Sequence, residues 1–200
     1  MNTKRLTLTI VFAALTVALN PAFTNIAFYA PFATGLIYQI WEIPIVIAFL
    51  IISPIAGVTI TLLNTAVLFA VYPGILPTGP FYNLAASLSM QLGILVASMI
   101  AKKITQRKEQ DPMGQFKLKW VGLSTTIGII FRVAFMSVLL YFALPQQPPI
   151  GFANFGFDQA AAILYLPAAA FFNATLALYT IPIAYFIART VKKNLRLNIA

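Results

Sequence analysis

The sequence predicts an all-α, polytopic membrane protein of six transmembrane helices with both termini in the cytoplasm. Three observations predict it. Of 200 residues, 60% are hydrophobic and 8% are charged, with a mean hydropathy of +0.89; a soluble domain carries roughly 25% charged residues. Apart from Arg132, the basic residues fall into three short clusters: Lys4 and Arg5; Lys102, Lys103, Arg107, Lys108, Lys117 and Lys119; and Arg189, Lys192, Lys193 and Arg196. Long apolar stretches separate them. Lys and Arg in short loops mark the cytoplasmic face, so each stretch between clusters crosses the bilayer an even number of times.

Leu6 to Ala101 carries a single charge, Glu42. A crossing takes about 20 apolar residues, and two crossings would leave too much apolar chain over, so four are expected here. Leu6–Ala22 is the first helix, read as retained rather than as a cleaved leader because Asn20 and Pro21 follow its apolar run. Phe23–Gln39, with Pro31 and Gly35, is a structured outer loop. Ser53-Pro54 and Gly57 divide the next apolar run, because proline disfavours helix in the residue before it and removes a backbone donor. The second helix is then Trp41–Ser53 and the third Pro54–Tyr72. The second is short for a span and is expected to sit partly buried among its neighbours. Pro73, Gly74, Pro77, Gly79 and Pro80 make a turn, and Phe81–Ala101 is the fourth helix. Beyond Lys119, Trp120–Leu144 is the fifth helix, Pro145–Gln159 a loop, and Ala160–Ala188 the sixth, with Pro167 and Pro182 as expected kinks. Residues 1–200 form one membrane domain.

Composition also excludes functions. The net charge of +9 flanks apolar segments instead of forming a stripe on a soluble fold, which points to anionic membrane lipid or an acidic partner and not to nucleic acid. Cys and His are both absent, so no disulfide, metal or cofactor is expected. There is no phosphate-binding loop and no nucleophile–base pair. The chain is therefore not expected to be an enzyme.

Several residues stand out from their apolar surroundings, and each supports two readings. Ala14, Ala18 and Ala22 recur every fourth residue on the first helix. That spacing suits close packing inside the bundle or docking of a separate membrane subunit. Glu42 is either a solvated interfacial carboxylate or a buried group with a partner or ligand. Arg132, midway along the fifth helix, pairs with Glu42 or Asp158, or meets a ligand. Asn64, Asn83, Gln91 and Asn173 are amides in apolar sequence. Each needs partners, as glue between helices or as the polar edge of a pocket. Tyr38, Tyr82, Tyr141 and Phe172 are either part of an interfacial aromatic belt or stacking walls for a flat heterocycle. Together Glu42, Asn64, Asn83, Arg132 and Asn173 with these aromatics define the expected binding pocket, in the outer half between the first loop, the fourth to sixth helices and the Pro145–Gln159 loop.

The order of short motifs resembles the substrate-binding (S) components of energy-coupling-factor vitamin transporters, most closely the riboflavin-specific branch. The motifs are Ala14–Ala18 on the first helix; Trp41-Glu42-Ile43-Pro44 opening the second; Ser53-Pro54-Ile55-Ala56-Gly57 at the break; Leu62-Leu63-Asn64; Gly79-Pro80-Phe81-Tyr82-Asn83; Arg132 through Met136; and Leu166-Pro167 through Phe172-Asn173. Leu176 stands where riboflavin-specific members often carry Lys. The resemblance implies high-affinity vitamin binding from outside the cell membrane. It also implies docking through the first helix onto a transmembrane coupling subunit that carries two ATPases. Riboflavin is the favoured cargo; thiamine, biotin, a queuosine precursor and a pantothenate-like molecule are the alternatives, and a membrane scaffold without ligand is the alternative outside transport.

Overall fold

The computed structural model describes residues 3–24, 27–33, 35–71, 78–104 and 117–195, with side chains throughout except at Ala22, Asn194 and Leu195. Tyr72, the Pro73–Pro77 turn, the loop holding Arg107 and Lys108, Arg196 and the side chain of Ala22 therefore lie outside the described residues. The described chain is helical, without strands: α1 (Thr3–Ala18), α2 (Pro21–Thr24), α3 (Glu42–Ile51), α4 (Pro54–Val71), α5 (Gly79–Ile104), α6 (Leu118–Ala143) and α7 (Gln159–Leu195), with a short 3-10 turn at Ala153–Phe155. Among them α4, α5, α6 and α7 are long and apolar enough to cross a membrane.

Local chemistry accounts for most boundaries. Ser53 caps α4: its Oγ accepts from the Ala56 amide at 3.1 Å, and Pro54 occupies the first helical position, where no amide is needed. Asp158 does the same for α7 through the Ala161 amide at 2.8 Å. Pro167 and Pro182 both lie inside the continuous α7. The first predicted helix is divided: α1 ends at Ala18, and α2 restarts at Pro21 after Asn20, whose carbonyl accepts from the Phe23 and Thr24 amides. The second is shorter than expected. α3 has 10 residues, about 15 Å at 1.5 Å per residue, and nearly all of it is buried.

Helices α3, α4, α5, α6 and α7 pack in that order and close into a ring through the α3–α7 contact, while α1 packs outside it, on α3 and α4. Its inward face carries Leu8, Thr9, Phe12 and Thr16; Leu6, Ile10, Val11, Ala14, Leu15 and Ala18 face outward. Consecutive helices from α3 to α7 alternate in direction, and α3 and α7, which close the ring, run the same way. Gly93 of α5 lies level with Gly128 of α6, and Ser124 of α6 bonds the Tyr185 hydroxyl of α7 at 2.8 Å. Lys102 and Lys103 at the end of α5, Lys117 and Lys119 at the start of α6, and Arg189, Lys192 and Lys193 at the end of α7 thus gather at one end of the bundle.

At the Gly93–Gly128 crossing the two backbones touch. A Cβ on Gly93 would stand 2.8 Å from the Gly128 Cα and 2.9 Å from the Ile127 carbonyl oxygen. Gly93→Ala is expected to push α5 and α6 apart and to destabilise the protein by about 1–3 kcal/mol. Thermal unfolding in detergent measures this; a variant melting with the native protein would show that the crossing relaxes freely.

Two loops cover the other end. The 27–41 segment folds back on itself through a Tyr29–Ile37 bridge, with the Ala30 amide bonding the Leu36 carbonyl and the Tyr38 amide the Phe28 carbonyl, both at 2.8 Å. Gly35 turns it at φ +86°, a conformation that costs glycine little. It lies on α7, where Phe32 meets Phe171 and Tyr38 meets Phe172. The 144–158 loop is tied to the end of α6 by the Phe152 amide on the Leu144 carbonyl, and to α5 by hydroxyls of Thr78 and Tyr82 on the Pro149 and Ile150 carbonyls.

Candidate binding site

Inside the ring, near the end covered by the loops, the helices bring together polar side chains far apart in sequence. Glu42 opens α3 and Arg132 lies in the second half of α6. These two helices are not neighbours in the ring, so the pair bridges its interior. The Arg132 Nη1 donates to the Glu42 Oε2 at 2.6 Å, and both side chains are fully buried. The remaining Arg132 donors fan out to other elements. Nε donates to Asn173 Oδ1 on α7 at 3.0 Å, Nη2 to Gln39 Oε1 at 3.4 Å, and Nη1 also approaches the Met90 sulfur on α5 at 3.7 Å. Gln39 Oε1 accepts a second bond, from Asn83 Nδ2 at 2.6 Å. Asn173 is held by its own Nδ2 on the Ala169 carbonyl. Arg132 is thus the hub of a network joining α3, α5, α6, α7 and the 27–41 loop.

That placement decides between two of the sequence readings. Glu42 is not a solvated interfacial carboxylate; it is enclosed and paired. Arg132 pairs with Glu42 and not with Asp158, which caps α7 instead. A buried pair of this kind holds only if its remaining polar valences are met, and the amides of Gln39 and Asn173 meet those of Arg132. The other carboxylate oxygen, Glu42 Oε1, and the neighbouring indole nitrogen of Trp41 are buried without a protein partner.

Beside the network, between the 27–41 loop and α7, lies a hollow of about 450 Å³ lined by Phe28, Tyr38, Ile40, Thr175 and Tyr179. Tyr38 is its central wall. Its ring packs on Phe172 at 5.2 Å and Tyr179 at 6.2 Å, and its hydroxyl lies 3.3 Å from the Thr175 hydroxyl.

Four of the five expected polar residues (Glu42, Asn83, Arg132 and Asn173) therefore meet, with Tyr38 and Phe172 alongside. Asn64 does not join them. It faces α1, where its Oδ1 accepts from Asn20 Nδ2 at 2.7 Å. Tyr82 is spent on the 144–158 loop, and Tyr141 is partly exposed and packs on Phe142. Gln91 bonds Thr61 on α4 and Ser87, away from the network. Gln39 is the member that sequence reasoning missed. It sits in a loop, where no periodicity singles out a residue; the only signal was a polar side chain three residues before Glu42.

A larger, open groove of about 910 Å³ runs along α1 and α4. Its lining includes Ile10, Ala13, Ala14, Ala18, Thr59 and Leu63. Ala14 and Ala18 line this groove and are exposed, so among the described residues they face away from the core of the ring.

Comparison with protein-family models, with curated proteins and with solved structures returns no match.

Proposed function

We propose that the chain is the membrane-embedded binding subunit of an energy-coupling-factor vitamin transporter, with riboflavin the favoured cargo. In this reading it crosses the cell membrane six times, α1 and α3 supplying the two shorter crossings, with both termini and the basic end of the bundle in the cytoplasm. It hydrolyses nothing itself; two ATPases act through a transmembrane coupling subunit.

One observation carries the reading. Glu42, Asn83, Arg132 and Asn173 lie in four separate motifs that resemble the family's, and they meet in one buried network beside a hollow walled by Tyr38. Residues so distant in sequence converge on one buried point, and ionisable groups at membrane depth commonly mark a functional site. The outward face of α1, with Ala14 and Ala18 open in a shallow groove, suits close approach by a helix of the coupling subunit.

Two measurements test this together. Mass spectrometry of the small-molecule extract of purified protein is expected to find a vitamin, and a flavin would also colour the preparation. Ala14→Leu is expected to leave that ligand bound while abolishing co-purification with a coupling subunit, because the bulkier side chain holds the partner helix away. Loss of ligand with assembly intact would place the alanines in the binding function and sink the docking assignment; absence of any extracted ligand, with no binding of added vitamins, would sink the reading as a whole.

A further inference from the structure

The hollow and the buried network meet at one residue of the 27–41 segment. Around Tyr38 the chain is extended: the Tyr38 amide bonds the Phe28 carbonyl, and Ile37 bridges Tyr29. Successive side chains of an extended chain point to opposite sides. Leu36 and Tyr38 pack with Phe172 and Leu176 of α7, and Tyr38 and Ile40 line the hollow. Gln39, between them, points the other way. Its Oε1 accepts from Asn83 Nδ2 of α5 at 2.6 Å and from Arg132 Nη2 of α6 at 3.4 Å. Gln39 thereby ties the wall of the hollow to two helices that do not line it.

Tyr38 is held less firmly at its tip. Its hydroxyl lies 3.3 Å from the Thr175 hydroxyl, long for a bond between two hydroxyls. Its ring meets Phe172 and Tyr179 at centroid distances of 5.2 Å and 6.2 Å, contacts about which a ring can pivot. The backbone one peptide further on cannot shift while the Gln39 side chain is bonded into the network. That bond fixes the point from which the Tyr38 ring projects.

We infer that Gln39 is a positioning residue for the cargo: it holds the Tyr38 ring, through the backbone, as the wall on which the cargo's flat ring stacks in the hollow. The inference rests on the binding-subunit reading above and adds a residue to it. It also gives the network a task besides stability. Arg132 and Asn83 line no part of the hollow and act on it through Gln39.

A double-mutant cycle in riboflavin affinity tests this on full-length protein in detergent, read by quenching of flavin fluorescence. Gln39→Met keeps the length of the side chain and removes the acceptor. Gln39→Met and Tyr38→Ala are each expected to weaken binding by about tenfold. Because Gln39 acts through Tyr38, the double variant is expected to lose no more than Tyr38→Ala alone; independent effects would multiply to about a hundredfold. Gln39→Glu retains an acceptor for both donors and is expected to restore binding. Native affinity in Gln39→Met, multiplied losses in the double variant, or a loss in Gln39→Glu equal to that in Gln39→Met each overturn the assignment and leave the binding-subunit reading standing. No binding of riboflavin by the native protein overturns the riboflavin reading and this assignment with it. Should Gln39→Met fail to fold, Asn83→Leu breaks the 2.6 Å bond from the α5 side and takes its place in the cycle.

Discussion

Glu42→Leu is expected to destabilise the protein by about 3–5 kcal/mol, because it strands a fully buried Arg132 without its counter-ion. Arg132→Met should cost a similar amount by stranding Glu42. In a chain of this size that corresponds to a fall in Tm of roughly 6–20 °C. The informative comparison is the double variant Glu42→Leu/Arg132→Met, which removes both charges and is expected to recover most of the loss. An isolated charge in the ring interior has to be desolvated, whereas two apolar side chains of similar volume do not. Thermal unfolding of the purified variants in one detergent gives all four corners of the cycle. Single variants within about 1 kcal/mol of the native protein would mean that water reaches the pair, as it reaches surface pairs of that worth.

Gly151→Ala should be as damaging, at about 3 kcal/mol or more, for a reason of space instead of charge. A Cβ there would stand 2.1 Å from the Ala143 carbonyl oxygen, 2.5 Å from that of Gln146 and 2.8 Å from that of Leu144. These are backbone atoms of the α6 C-terminus and the start of the following loop, and they cannot rotate aside as a side chain would. The 144–158 loop would have to lift, breaking the hydrogen bonds that the Phe152 and Ala153 amides donate to the Leu144 and Gln146 carbonyls. Limited proteolysis in this loop, together with the melting temperature, reads the outcome; native resistance and native Tm in Gly151→Ala would show that the loop can shift without loss.

The boundaries legible in the sequence were those set by local chemistry. Ser53-Pro54 divides its apolar run because proline disfavours helix in the residue before it, and α4 does start at Pro54; the effect acts within a residue or two. Pairings that depend on the ring were less legible. Glu42 and Arg132 stood out as the lone charges of long apolar runs, and their partnership was one of three possibilities, beside pairing of Arg132 with Asp158 or contact with a ligand. Gln39 was invisible, because a loop glutamine has no pattern to violate. Asn64 was grouped with the pocket on polarity alone; its partner Asn20 lies at the break between α1 and α2, and that break was hidden by the apolar residues on both sides of it. α3 ends at Ile51, three residues before Pro54, as expected where proline disfavours helix in the residue before it.

The unequal lengths of the ring helices have a consequence for the surrounding bilayer. α7, at 37 residues, is about 55 Å long, and α3 beside it is about 15 Å, against a hydrocarbon thickness of about 30 Å. The long helix overshoots and places its final Lys192 and Lys193 among headgroups or in water. The short one is nearly all buried among α1, α4 and α7, so the mismatch falls on α7, which tilts to fit its apolar length to the hydrocarbon layer. Acyl-chain length thereby becomes a variable acting on the orientation of the whole bundle, independently of anything bound within it.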